Sequence, residues 1–175
     1  MLFNIYHTTF CLQNELRLKV IGMEIKLLAQ ITLDGYIARP DGKRDWYLNP
    51  DIYGITAFFD HASAILDYDD GKYKVEMRNG YVFFDNELEG ALSRLKDISG
   101  YLAIEATHSS LPLIQILLAH HYIKEIHYIQ IPVRLKQGYF LFTFHKLRSA
   151  WQQADMRPID KSGNISYSIL RHDHF

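Results

Sequence analysis

The chain has 175 residues, of which 48% are hydrophobic, 22% charged and 14% aromatic, and its formal net charge is −1. This length fits one domain with a sizeable core, and the composition excludes an intrinsically disordered chain. A near-neutral charge without a long basic run excludes nucleic acid and anionic membrane as partners, so small molecules or proteins are expected.

The first 22 residues do not have the continuous apolar region of a signal peptide, because polar and charged side chains interrupt it. No later apolar run approaches the roughly 20 residues that span a bilayer. The single Cys11 excludes an internal disulfide framework and is typical of a reducing compartment. We therefore predict a cytoplasmic protein in which residues 1–22 are an extension outside the fold and residues 23–175 are the domain.

The first half of the domain shows two strand patterns and one hairpin signal. Apolar side chains occupy both faces of Glu24–Thr32, which predicts a strand covered on both sides. Residues 51–66 carry apolar side chains at helical spacing and end in a short apolar run, which indicates a helix entering a strand. Asn79-Gly80 lies between two short strand-like segments and favours a tight hairpin turn.

The second half alternates helix and strand patterns. Residues 87–97 form an amphipathic pattern, residues 101–105 a short strand, and Ser109 to Pro112 a helix start. Residues 125–133 look central in a sheet, and residues 165–170 are the final strand. This alternation predicts an α/β fold, a three-layer α/β/α sandwich with a mostly parallel central sheet and a C-terminal antiparallel hairpin.

Three segments carry a family resemblance through their order and spacing. They are ITLDGYIARPDGKRDW at residues 31–46, LPLIQILLAHHYIKEIHYIQIPV at residues 111–133 and QGYFLF at residues 137–142. Together they resemble the dihydrofolate reductase superfamily, and most of all the C-terminal reductase domain of bacterial riboflavin biosynthesis. The resemblance runs from about Met23 to the C-terminus. It implies a dihydrofolate-reductase-like fold and an NADPH-dependent reduction of a pterin, a pyrimidine or a related ring.

The same resemblance implies where the ligands lie, although it assigns no catalytic residue. The residues implied at the nicotinamide end are Ala29, Thr32, Asp34, Gly35 and Ile37. Asp45 and Trp46 are implied beside the substrate, where an indole can stack on a flat ring and a carboxylate can accept hydrogen bonds from it. A structural interpretation stays open, because Asp-Gly pairs form turns in any protein and Trp46 could simply cover the core.

Two segments depart from the family pattern. Where the family has Met-Gly-Arg-x-Thr after the second strand, this chain has Asp67-Tyr68-Asp69-Asp70-Gly71, with Asp69 near the arginine position, and a hairpin pattern replaces the helix that should follow. Where the family has a glycine cluster after residues 101–105, this chain has no glycine, and Glu105 lies close to that position. Like charges about 4 Å apart repel by roughly 1 kcal/mol in water, so these carboxylates would disfavour a phosphate.

Neither the aspartates nor the histidines indicate a metal site. Asp67, Asp69 and Asp70 do not have the ligand spacing of a calcium loop and are interpreted as a solvated turn. Five histidines occur in the second half without a metal-binding motif: His120, His121, His127, His172 and His174. Two functions remain: an NADPH-dependent reductase, or a relative that has lost the cofactor and acts as a small-molecule-binding or homodimeric interaction protein.

Overall fold

A computed structural model describes residues 23–142 and 150–172, with only the backbone of Asp69. The predicted extension at residues 1–22 and His174 lie outside the described residues. Within them the strands are β1 (Glu24–Thr32), β2 (Tyr36–Ala38), β3 (Ala64–Asp69), β4 (Lys72–Met77), β5 (Val82–Asp85), β6 (Tyr101–Glu105), β7 (Ile123–Ile131), β8 (Tyr139–Phe140), β9 (Trp151–Pro158) and β10 (Ser166–His172). The helices are α1 (Pro50–Tyr53), α2 (Thr56–Asp60), α3 (Leu88–Ser93) and α4 (Leu111–Ala119).

Within residues 23–142 and 150–172, eight strands form one sheet in the order β5-β4-β3-β6-β1-β7-β10-β9, and β2 pairs with β8 separately. The four central strands, β3, β6, β1 and β7, are parallel. Antiparallel strands flank them on both sides, β4 and β5 at one edge and β10 and β9 at the other. The predicted parallel centre and C-terminal hairpin are therefore confirmed.

Apolar side chains cover both faces of the sheet. Leu27 and Ile31 of β1 pack in one core with buried residues of α3 and α4, such as Leu92 and Leu117. Leu28, which points the other way, packs in a second core with residues from α1 to the end of α2. Because successive side chains of a strand point to opposite faces, one strand supplies both cores, and three layers result.

The structure corrects three local expectations. The helical pattern of residues 51–66 is divided at Gly54 into α1 and α2. The strand β3 runs on to Asp69, so only Asp70 and Gly71, with φ of 47° and 76°, form a turn. Ser110, at the start of α4, makes no capping bond to the helix; its Oγ donates to the Glu105 carbonyl at 2.7 Å and accepts from the Thr107 N–H. No helix among the described residues is long and apolar enough to cross a membrane.

Candidate ligand-binding crevice

The sheet topology marks the carboxyl ends of β1 and β6 as the place to look for a ligand. These two strands are parallel neighbours. The chain leaves β1 toward α1 and α2, on one face, and leaves β6 toward α4, on the other. In open α/β sheets a crevice forms where such connections diverge, outside the carboxyl ends of the strands. The crevice here is bounded by the segment after Thr32, the loop of residues 39–48 and the segment after Glu105.

Asp34, the first predicted site residue after β1, is engaged within the chain. Its carboxylate accepts hydrogen bonds from Thr32 Oγ1 at 2.7 Å, from Leu135 N at 3.1 Å and from Lys136 N at 2.9 Å. Burial opposes the charged form, but these hydrogen bonds outweigh it, and the pKa of Asp34 is lowered. The side chain thus connects the end of β1 to residues 135 and 136.

Gly35 is required by packing. Its φ is +87°, and a Cβ at this position would lie 2.2 Å from the Phe142 carbonyl oxygen. The other three residues that the resemblance places near the nicotinamide, Ala29, Thr32 and Ile37, are fully buried. The Thr32 hydroxyl also accepts a hydrogen bond from the Tyr36 N–H at 3.0 Å. All five residues therefore pack or form hydrogen bonds within β1, β2 and the turn between them, and their predicted contact with a cofactor stays a prediction.

Asp45 and Trp46 lie on the loop of residues 39–48. The Asp45 carboxylate is 2.7 Å from Arg39 Nε, and this hydrogen bond lowers the pKa of Asp45. The Arg39 guanidinium carbon is also 5.5 Å from the centre of the Trp46 ring, which is half-buried against the core beneath α1 and α2. Arg39 therefore connects the two residues, and their predicted role beside a substrate stays a prediction.

Arg44, on the loop of residues 39–48, forms an ion pair with Glu105 at the end of β6. The sequence did not predict this contact. Arg44 NH1 is 2.9 Å from Glu105 Oε1, and its guanidinium lies 4.1 Å from the centre of the Tyr47 ring. Nε and NH2 of Arg44 are buried and have no hydrogen-bond partner among the described residues. Gln30, itself buried, accepts from the Leu48 N–H and donates to the Leu48 carbonyl, which fixes the end of the loop. The only signal in the sequence was the opposite charge of two residues that lie 61 positions apart.

The surroundings of Tyr47 show that the chain is tightly packed around the Arg44–Glu105 ion pair. Burial and the neighbouring Glu105 carboxylate raise the pKa of Tyr47 to about 12. On the other side of Arg44, a Cβ on Gly42 would lie 3.3 Å from the His108 ring. The loop of residues 39–48 therefore packs directly against the segment after β6.

A small cavity adjoins this corner, between α2 and the ends of β3 and β6. Its volume is about 150 Å³, whereas pockets for drug-sized ligands typically occupy about 300–1,000 Å³. It is lined by Phe59, Ile65, Leu66, Asp67, Lys74, Glu76, Glu105 and Thr107. By itself, a cavity of this volume has room for a single small ring.

The residues present do not fit NADPH as the resemblance implies it. The helix start that would meet the cofactor's phosphates is replaced by the Asp70-Gly71 turn, which leads from β3 straight into antiparallel β4. Glu105, where a glycine would allow close approach, is instead paired with Arg44. Among the described residues, no three His, Cys, Asp or Glu side chains are placed to hold one metal ion.

Comparison with known proteins adds solved structures of the same architecture. No family model and no curated protein matches the sequence. A protein of Shewanella sp. PV-4 described as a riboflavin biosynthesis protein is 17% identical and matches 87% of this chain and 100% of its own, with a TM-score of 0.60. Dihydrofolate reductase from Enterococcus faecalis, solved with NADP(H), is 13% identical and matches 87% of this chain and 97% of its own, with a TM-score of 0.58.

A third solved structure carries the same fold within a longer chain. It is the diaminohydroxyphosphoribosylaminopyrimidine deaminase/5-amino-6-(5-phosphoribosylamino)uracil reductase of Thermotoga maritima, 12% identical, with a TM-score of 0.54. The match covers 86% of this chain and 56% of that one. At such identities the likeness establishes the architecture. This protein has a dihydrofolate-reductase-like fold.

Proposed function

We propose that this protein binds a small polar ring compound in the crevice beside Glu105 and does so without a nicotinamide dinucleotide. One observation carries the proposal: the two-residue turn at Asp70-Gly71 stands where the resemblance implies a helix that binds the cofactor's phosphates. A helix N-terminus is a favourable phosphate site because its free N–H groups point at the anion. A hairpin between β3 and β4 does not offer such a row of donors.

The charges around the crevice support the same proposal. Asp67, Glu76 and Glu105 line the small cavity, with Lys74 as its one cationic residue among the described lining. Carboxylates repel phosphate and accept hydrogen bonds from ring N–H and amino groups. Phe59 and Ile65 supply an apolar wall. A pterin- or pyrimidine-type ring, as the resemblance implies, matches this combination in size and polarity.

Thermal unfolding with added NADPH tests the cofactor half of the proposal. We expect no change in the unfolding midpoint up to millimolar NADPH, while a dihydrofolate reductase measured in parallel is stabilised. A ligand that binds only the folded state at one hundred times its dissociation constant adds about 2.7 kcal/mol, which is easily seen. A clear rise of the midpoint in this protein would contradict the proposal.

Ligand screening tests the other half. A panel of pterins, pyrimidines and small planar amines is added singly, and at least one compound is expected to raise the unfolding midpoint. Glu105→Gln should abolish that rise, because the ring donors lose their charged acceptor. Glu87→Gln, at an exposed carboxylate before α3, is the control and should keep it. A rise that survives Glu105→Gln would place the ligand elsewhere.

An NADPH-dependent reductase is the second candidate. The match to the NADP(H) complex of dihydrofolate reductase over 87% of this chain favours it. If NADPH stabilises the protein and is oxidised in the presence of a pterin or pyrimidine, this second function replaces the first.

A further inference from the structure

The edge strand β5 exposes apolar side chains at a position where the sheet could continue. Among the described residues β5 has a neighbour on one side only, β4. Val82 is 38% exposed and Phe84 60% exposed, and both lie on the face of the sheet opposite Phe83, which is buried in the larger core. The opposite edge, β9, exposes mainly polar and charged side chains. Charged edges prevent strands of other molecules from pairing, and apolar edges invite it.

The backbone of β5 is ready to form such a pair. Met77 N–H donates to the Tyr81 carbonyl at 2.8 Å, and β4 and β5 continue this register with Val75 opposite Phe83. Because hydrogen-bonded pairs alternate along an antiparallel ladder, the polar backbone groups of Phe83 face β4. Those of Val82 and Phe84 face outward. Val82 and Phe84 can therefore each exchange two backbone hydrogen bonds with a further strand.

We propose that β5 pairs in antiparallel orientation with β5 of a second copy of this chain. The two-fold axis passes between the two Phe83 residues, which lie opposite each other. In this register Val82 of each copy lies opposite Phe84 of the other copy. The outward-facing N–H and C=O groups of both residues then all form hydrogen bonds. On the other face this register places Tyr81 opposite Asp85, a phenol opposite a carboxylate. The strand is therefore complementary to itself in both its apolar and its polar positions, as a two-fold interface requires.

The size of the contact sets the expected strength. Stable complexes usually bury about 800 Å² on each partner, and a four-residue strand edge supplies less than that. Cross-strand apolar pairs and backbone bonds add stability without much area. We therefore expect a reversible dimer whose fraction rises with protein concentration. The inference does not depend on the proposed ligand.

Sedimentation velocity on the full chain over a hundredfold concentration range tests the interface. The wild type is expected to shift from the 20.5 kDa monomer toward a species of twice that mass. Phe84→Lys places a charge on the β5 edge and should weaken dimerisation at least tenfold. Met156→Lys is the matched control, because Met156 is equally exposed, at 61%, but lies on β9. It should leave dimerisation unchanged.

Two outcomes overturn the inference. One is a wild type that stays monomeric over the whole range. The other is a dimer that Met156→Lys dissociates and Phe84→Lys does not. Both sites are exposed enough to accept lysine, and circular dichroism of both variants checks that they fold.

A crosslinking experiment tests the register. In a Cys11→Ser background, chains with Val82→Cys and chains with Phe84→Cys are mixed and oxidised. Opposed residues of an antiparallel pair have Cα atoms about 5.5 Å apart, which a disulfide can bridge. The mixture should give at least tenfold more crosslinked dimer than either variant alone. Equal crosslinking in all three samples would exclude this pairing.

Discussion

The two Asp-Gly pairs after β1 look alike in the sequence but differ in what their aspartates hold. Asp34 accepts hydrogen bonds from the backbone N–H groups of Leu135 and Lys136, whereas Asp41 accepts from Lys43, two residues away, in an exposed turn. We expect Asp34→Ala to lower the free energy of unfolding by about 1–3 kcal/mol, because part-buried donors lose their acceptor. Urea unfolding at neutral pH measures this change.

Asp41→Ala is the matched control and should change the unfolding free energy much less. Equal effects of the two substitutions would mean that Asp34 does not fasten the distant segment. The sequence could predict the turns at both pairs, because turn chemistry is local. It could not separate their roles, because the partners of Asp34 lie 101 and 102 residues further along the chain.

At the scale of elements, Glu125 joins the three strands β1, β7 and β10. Its carboxylate lies 2.8 Å from Lys26 Nζ, 3.1 Å from His127 Nε2 and 2.7 Å from Arg171 Nε. His127 Nδ1 in turn lies 2.5 Å from the hydroxyl of Tyr167. Burial opposes the charge on Glu125, but these hydrogen bonds outweigh it and lower its pKa to about 2.

This network predicts a loss of stability in acid. The folded pKa of Glu125, about 2, lies below the ordinary 4.5, so the unfolded chain takes up the proton first. The contribution, about 3 kcal/mol at most, is fully present well above pH 4.5 and is lost as the pH falls through 4.5 toward 2. Chemical unfolding at a series of pH values should show this loss in the wild type and less of it in Glu125→Gln.

Glu76→Gln serves as the comparison. Glu76 makes an exposed ion pair with Lys74 at 3.4 Å, and such pairs contribute little to stability. Its acid profile should follow that of the wild type. If Glu125→Gln also follows it, the buried network does not cause the loss.

The hairpins show which elements could be predicted. Asn79-Gly80 predicts the turn between β4 and β5, and the structure has that turn. A run of aspartates is typical of a turn, so the sequence predicted β3 to end before Asp67. The strand instead runs to Asp69. In the sheet, however, Asp67 stands opposite Lys74 in register. Opposite charges across a strand pair stabilise it, and this compensation becomes visible only once the two strands are aligned.

At the scale of the whole molecule, the architecture is shared with proteins of very different sequence. Three solved structures share 12–17% identity with this chain, yet the fold matches over 86–87% of it. Fold assignment from motif order was possible because the motifs include the end of β1 and all of α4 and β7, and β1 and β7 are neighbours in the middle of the sheet. The pairing of Arg44 with Glu105 could not be predicted, because it depends on the path of a loop that covers the crevice.

The first described residues, Met23 and Glu24, are held in place by the rest of the domain. Met23 is buried, Glu24 N–H donates to the Gly100 carbonyl at 3.2 Å, and β1 begins its register there opposite Tyr101. The described residues, which begin at Met23, supply eight strands to the main sheet. We therefore expect a chain that starts at Met23 to fold with less than about 1 kcal/mol lost, a midpoint shift under about 4 °C.

Circular dichroism during heating measures that shift against the full chain. A chain that starts at Leu28 is the comparison, because it loses Ile25 and Leu27, both buried in the larger core. It should show no cooperative unfolding, since β1 lies between β6 and β7 and both neighbours lose their hydrogen bonds to its first half. If the chain starting at Met23 is equally disordered, residues 1–22 belong to the fold, and the core described here is incomplete without them.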